Sequence, residues 1–253
     1  MRSLFQHRST GPAPTAELVP TEFPKIVGAD LGAAFVGKRL AGDFYDSVRV
    51  SPERVLFALL DVAGRREDNR GILSSSQEIF RKFGVELFSR PDINESDAMT
   101  ELCLRLNRGV IEVARGVHSC PAFIACYHEV FGTLCFTNAG HTPGLLRDAI
   151  GITELASTGL PLGLFSHATA DAPTVAIENG AALLLVSRGV VECEGRKGSG
   201  DDFSLDRVKQ VLKNTSSPEA QALCVSVLDA VAKFACDGPP RDDRTALALL
   251  RTS

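Results

Sequence analysis

Apolar positions along this chain follow two rhythms. Residues 47–62, "SVRVSPERVLFALLDV", and residues 122–140, "AFIACYHEVFGTLCFTNAG", each hold two β-rich runs, broken at Ser51-Pro52-Glu53-Arg54 and at Glu129 to Gly132. Runs joined this closely predict β-hairpins. "TVAI" at 174–177, "AALLLVS" at 181–187 and "TALALL" at 245–250 supply further strands, the last alternating until its apolar end.

Between the hairpins the rhythm becomes helical. Ile72, Ile79, Phe80, Phe83 and Leu87 share one face of one segment; Met99, Leu102, Cys103, Leu106, Val110 and Val113 share one face of the next. A third helix is expected from Ser217-Pro218, a cap followed by proline at the first helical position, through Leu223, Leu228, Val231 and Phe234. Strands joined as hairpins, with consecutive helices between them, favour antiparallel sheets beside a helical layer over a regular βαβ alternation. The chain therefore reads as one layered α+β domain, residues 21–253, after a mobile N-terminal arm, residues 1–20, rich in Pro, Gly, Ser and Thr.

Composition narrows the function. Across 253 residues, 44% hydrophobic and 23% charged content is that of an ordinary globular protein, and a net charge of -4 offers no positive field for a nucleic acid. No apolar run is long enough for a membrane span, and the N-terminus lacks the core of a secretory signal, so a cytoplasmic location without membrane contact is expected. The seven cysteines are odd in number and form no C-x-x-C pair, which suits structural thiols in a reducing compartment.

Acids stand at strand ends. Asp61 follows "VLFALL", Asp43 lies in "LAGDFYD" at 40–46, and Asp242 and Asp243 precede "TALALL". If these strands are neighbours, the carboxylates converge at one rim, where a hard divalent cation with oxygen ligands commonly offsets their repulsion. The alternative is that each acid serves its own turn.

Six motifs then occur in order: "AGDFYD" at 41–46, "LDVAG" at 60–64, "NAGHTPGLLR" at 138–147, "GLPLGLF" at 159–165, "DDFSLDRV" at 201–208 and "DDRT" at 242–245. Together, over roughly residues 20–251, they resemble the bacterial PPM-type metal-dependent protein serine/threonine phosphatases of the SpoIIE-like branch. The resemblance implies a four-layer α-β-β-α sandwich, two antiparallel sheets flanked by helices. It implies a pair of Mn2+ or Mg2+ ions, with Asp61 bridging both, Asp43 holding one, Asp242 the other, and the backbone carbonyl of Val62 completing the site. It also implies hydrolysis of phosphoserine or phosphothreonine by metal-activated water, on a phosphorylated regulatory partner of the STAS type (anti-anti-sigma). Self-association into a homodimer stays open. Gly42 is expected to let backbone pass close to the site, Phe44 and Tyr45 to pack into the sheet, and Asp46 to have no direct role.

Two departures qualify this. After "AALLLVS" the family carries Thr-Asp-Gly, whose aspartate is a metal ligand, whereas this chain has Ser187-Arg188-Gly189. Three outcomes are open: a site holding only the ion supported by Asp43, Asp61 and Val62; Arg188 clamping a phosphoryl oxygen with its planar fork; or a catalytically silent module that binds a phosphoprotein. Glu192 and Glu194 are poor substitutes for the lost ligand. Second, Gly64-Arg65-Arg66-Glu67-Asp68-Asn69-Arg70 replaces the family's small-residue loop after Asp61, and Arg65 and Arg66, with Arg188, are candidate substrate-binding residues. His141 is read as part of a supporting turn, with general-acid catalysis as the alternative. Gly32 to Arg39, "GAAFVGKR", approximates a nucleotide phosphate loop but ends in Arg39 where a hydroxyl is needed, and is read as chance.

Overall fold

The structure, a computed structural model, describes residues 18–37, 42–62, 66–114, 118–167, 170–195, 200–235 and 242–252. Ten strands and five helices follow one another: β1 (Ala29–Val36), β2 (Asp43–Ser51), β3 (Arg54–Asp61), α1 (Arg66–Phe88), α2 (Glu95–Ala114), β4 (Ala122–His128), β5 (Thr133–Ala139), β6 (Gly144–Arg147), β7 (Ile152–Leu155), β8 (Thr174–Ala176), β9 (Ala182–Val186), α3 (Arg188–Val191), α4 (Ser204–Asn214), α5 (Ala220–Phe234) and β10 (Arg244–Arg251). They form two five-stranded sheets, ordered β1-β10-β9-β6-β7 and β2-β3-β4-β5-β8. All pairings between these strands are antiparallel.

β3 shows why the strands read as unbroken apolar runs. Val55, Phe57 and Leu59 enter a core shared with Leu183, Leu185, Leu247 and Leu249 of the other sheet. The alternate residues Leu56, Ala58 and Leu60 enter a second core beneath α1 and α2, with Ile72, Phe80, Met99 and Leu102. A third core joins Leu184, Val186, Ala246 and Ala248 to Val208 and Leu212 of α4 and to Leu223, Val227 and Val231 of α5. Three cores separate four layers, the expected α-β-β-α sandwich. Both sheets are covered on both faces, so alternation gives way to continuous hydrophobicity. Each fully buried Leu or Phe contributes roughly 1.5–3 kcal/mol by leaving water.

Some local expectations change. Val113 sits on the predicted α2 face yet is exposed, at the helix's last turn. The charged run after Gly64, expected as a loop, is helical from Arg66 onward. α5 begins at Ala220, later than Ser217-Pro218, and its Ncap Glu219 makes no side-chain cap. Asp30 of β1 takes that part: its Oδ2 accepts the Ala220 N–H at 2.7 Å. Gly32 to Val36 form the body of β1, not a phosphate loop, and Lys38 and Arg39 lie outside the described residues. Gly32 is small for a packing reason: a Cβ there would stand 2.7 Å from the Gln221 backbone nitrogen of α5.

Of the expected arm, residues 1–17 lie outside the described residues, while Val19 is fastened to α1. Gln77 accepts the Val19 N–H and donates to the Val19 carbonyl, both at 2.8 Å. Asp46 is fully buried in the same region, with Arg81 donating through Nε at 2.7 Å and a terminal nitrogen at 2.8 Å. The Thr21 hydroxyl donates to Asp46 Oδ1 at 3.2 Å, so Asp46 binds strand, helix and N-terminal segment together. Among the described residues, no helix is long and apolar enough to cross a membrane.

Candidate active site

Four chain segments end at the same rim. β2 starts and β3 ends there, making Asp43 and Asp61 direct Cα partners. In the other sheet β9 ends and β10 starts, bringing Ser187, Arg188 and Thr245 together: Ser187 N–H donates to the Thr245 carbonyl, and Thr245 N–H to Ser187 Oγ, each at 3.0 Å. Hydrogen bonds then cross between the sheets. The Thr245 hydroxyl donates to Asp43 Oδ2 at 2.7 Å, and the Arg188 N–H donates to Asp61 Oδ2 at 3.0 Å.

Asp43 and Asp61 differ in environment. Burial, then the facing Asp61 charge, pushes the Asp43 carboxyl up from 3.8 to about 8, against the opposing pull of the Ser187 and Thr245 hydroxyls. Asp43 is met by hydroxyls, and by no cation among the described residues. Asp61, 7% exposed, carries the Arg188 main-chain bond and faces the guanidinium, whose Nε is 3.9 Å from Asp61 Oδ2.

The Arg188 side chain turns into the acids. Its Nη2 lies 3.8 Å from Asp242 Oδ2, and its Nε 3.8 Å from Glu192 Oε2. At such distances the gross attraction of one pair is about 4 kcal/mol at an effective dielectric near 20. The side chain is 45% exposed, so solvent screening reduces each pair to ~1 kcal/mol or less, and only the network has weight. Glu192 is a partner of Arg188. Gly189 explains how the segment comes so near: a Cβ there would stand 2.0 Å from the Asp243 carbonyl oxygen.

Val62 follows Asp61 and is buried. Its N–H donates to the Gly42 carbonyl at 3.3 Å, and its own carbonyl accepts Asn69 Nδ2 at 3.1 Å. Gly42 has φ 137°, and a Cβ on it would stand 2.8 Å from both Val62 O and Asn69 Nδ2. The close backbone passage expected of Gly42 is therefore real, and glycine alone adopts it without strain.

His141 belongs to a turn. Its N–H donates to Asn138 Oδ1 at 2.8 Å, while the Thr142 hydroxyl donates to the Val186 carbonyl at the end of β9. With the Thr142 proton so committed, His141 Nδ1, 3.0 Å from Thr142 Oγ1 and 3.1 Å from its carbonyl, carries the ring hydrogen. Burial lowers the pKa of this imidazole and keeps it neutral.

The structure thus brings Asp43, Asp61, Val62, Arg188 and Asp242 to one rim. Arg66 opens α1 four residues after Val62, and Arg65 lies outside the described residues. Sequence reasoning assigned no role to Ser187, Thr245 or Asn69. Thr245 closes the "DDRT" motif and Ser187 precedes Arg188, which was the available signal; Asn69 sits in a charged run that gave none.

Two stacked antiparallel sheets between helical layers form the fold of PP2C-type phosphatase domains. Solved structures share that fold: the SiaA-PP2C domain of Pseudomonas aeruginosa has a TM-score of 0.73 at 16% identity, covering 88% of this chain and 86% of that one. The RsbU and RsbW domains of a Mycobacterium tuberculosis protein have a TM-score of 0.71 at 22% identity, covering 91% of this chain but 63% of that one, so this chain spans less than two thirds of that protein's length. The sequence matches the model of the family Stage II sporulation protein E (SpoIIE) over residues 51–252, and the chain belongs to that family. Phosphoserine phosphatase RsbU of Bacillus subtilis (strain 168) is 26% identical over 237 residues, 92% of this chain and 67% of that relative.

Proposed function

We propose that this domain hydrolyses phosphoserine or phosphothreonine on a phosphorylated regulatory protein, with a divalent Mn2+ or Mg2+ held by Asp43, Asp61 and the Val62 carbonyl. The carrying observation is the Asp43–Asp61 pair, two carboxylates in register at a hairpin end, of which Asp43 meets no cation among the described residues. Hard oxygen donors of this kind suit such an ion. The half of the rim beside Asp242 does not suit one equally, because the Arg188 guanidinium lies against it.

Bound there, the ion supplies a water acidic enough to act as nucleophile at phosphorus. The protein's own groups do the rest. Ser187 and Thr245 hold the Asp43 carboxylate in place. Arg188, half-exposed and facing the rim, can grip a phosphoryl oxygen. Arg65 and Arg66, by their place in the sequence just after Val62, are the further candidates to meet an incoming phosphoprotein. The substrate, carried from the resemblance, is a STAS-type regulator. The name of the Bacillus subtilis relative, a phosphoserine phosphatase, supports phosphoserine.

A second reading is a silent module that binds a phosphoprotein without turnover, favoured by the Arg188 contacts with Asp61 and Asp242. Phosphate release from a phosphoserine peptide across a manganese titration separates the two, with Asp61→Ala as blank and Arg188→Asp alongside. Manganese-dependent release absent from Asp61→Ala supports the enzyme. Wild type equal to the blank, with release gained in Arg188→Asp, supports the silent module.

A further inference from the structure

We infer that Arg188 is a built-in cation tying Asp61, at the end of β3, to Asp242, just before β10, so that the rim takes up a single divalent ion. The inference rests on the metal-dependent reading proposed for this rim and deepens it.

The residue is fixed at both ends. Its N–H is bound to Asp61 Oδ2 at 3.0 Å, its carbonyl accepts the Glu192 N–H at 2.9 Å, and Val190 N–H returns to the Ser187 carbonyl at 3.0 Å. Gly189 lets this turn lie directly against the Asp243 backbone. From that anchored backbone the guanidinium reaches carboxylates on three sides, Asp61 at 3.9 Å and Asp242 and Glu192 at 3.8 Å. A divalent ion placed between Asp61 and Asp242 would have to expel a like charge already held there by three acids. No such obstacle exists at Asp43, whose described partners are the hydroxyls of Thr245 and Ser187. The rim is therefore divided: Asp43 and the near side of Asp61 accept an added cation, while the far side already has one, covalently attached.

The test counts ions. Mn2+ uptake by the full chain is measured from the free-Mn2+ resonance signal, for wild type, Arg188→Asp and Arg188→Gln, with circular dichroism to verify folding. One ion per wild-type chain and two per Arg188→Asp chain is the expected result. Arg188→Gln, which removes the charge but keeps a polar, unbranched side chain, should admit a second ion at higher Mn2+. Two ions in wild type would overturn the inference and leave the phosphatase reading intact. So would a count of one in a folded Arg188→Asp or, where that variant does not fold, in Arg188→Gln at saturating Mn2+. No ion in wild type or either variant would instead remove the metal-dependent reading and this inference with it.

Discussion

Asp43 and Asp61 stand opposite each other as Cα partners on adjacent strands, so simple hairpin pairing brings two carboxylates together. Burial and the facing Asp61 charge push the Asp43 carboxyl up to about 8, so near neutral pH the metal-free fold must keep protonated a carboxyl that the unfolded chain would ionise, which costs stability. Removing that carboxyl should therefore stabilise the metal-free protein. Asp43→Asn is expected to gain ~1 kcal/mol and melt about 2–4 °C higher in chelator, yet lose the rise in melting temperature that Mn2+ gives wild type. Differential scanning fluorimetry with and without Mn2+ reads both; an unchanged or lower melting point in chelator would mean that the Thr245 and Ser187 hydroxyls already offset the crowding.

Asp30 should matter for stability although it is far from the rim. It supplies the cap that α5 lacks locally, across 190 residues of sequence. Asp30→Ala leaves the Ala220 N–H without this acceptor and is expected to cost ~1 kcal/mol, a fall of about 2–4 °C in melting temperature. Phosphate release at room temperature should stay near wild type, since the residue touches nothing at the site. A loss of activity larger than the loss of folded protein would contradict a purely capping role.

Acid should weaken the fold through His128. Its ring is buried at the far end of β4 from the site, 4.3 Å from the Phe131 ring. Burial and neighbouring Arg54 lower its pKa below the ordinary 6.5, outweighing the attraction of Glu95, Glu53 and Glu129. Glu53, 3.5 Å away, is itself half-exposed, which weakens its pull. Folded protein then holds fewer protons than unfolded protein below about pH 6.5, so stability present above that pH is lost as pH falls toward the folded value. Asp43, whose carboxyl is pushed up to about 8, acts in the opposite sense over this range, so the readout is a difference: from about pH 7.5 to 5.5 the urea midpoint of wild type should fall relative to that of His128→Gln. Equal slopes would remove His128 as a contributor and leave any acid weakening to other groups, such as His141, whose pKa burial also lowers.

What the sequence revealed came from local pattern. β3 was legible because both of its faces are buried, which leaves an unbroken apolar run ending at Asp61. β1 was not, since Gly32, Ala33 and Ala34 carry little strand preference; the small size of Gly32 answers to α5, an element distant in sequence. The start of α1 was hidden because Arg66 to Arg70 contain no apolar position to show a helical period, the first being Ile72. At the site, the acids could be read from their strand ends and from the SpoIIE-like motifs. The direction of the Arg188 side chain could not, because a long flexible residue can face solvent or acids with the same backbone.

Asn69 is the site residue that carried the least signal, and its geometry gives it a defined part. It is fully buried and donates to the Val62 carbonyl, while Gly42 leaves it the room to do so. Groups that orient a ligand commonly change metal affinity by about 10–100-fold when removed. Asn69→Ala should shift the Mn2+ midpoint for both thermal stabilisation and phosphate release upward by that order, with kcat at saturating Mn2+ changing less. Gly42→Ala should produce the same shift by a different route, since its Cβ would press on both partners of this hydrogen bond and strain the backbone at φ 137°. If Asn69→Ala instead lowers kcat at saturation and leaves the Mn2+ midpoint unmoved, Asn69 acts on substrate or on α1 rather than through the Val62 carbonyl.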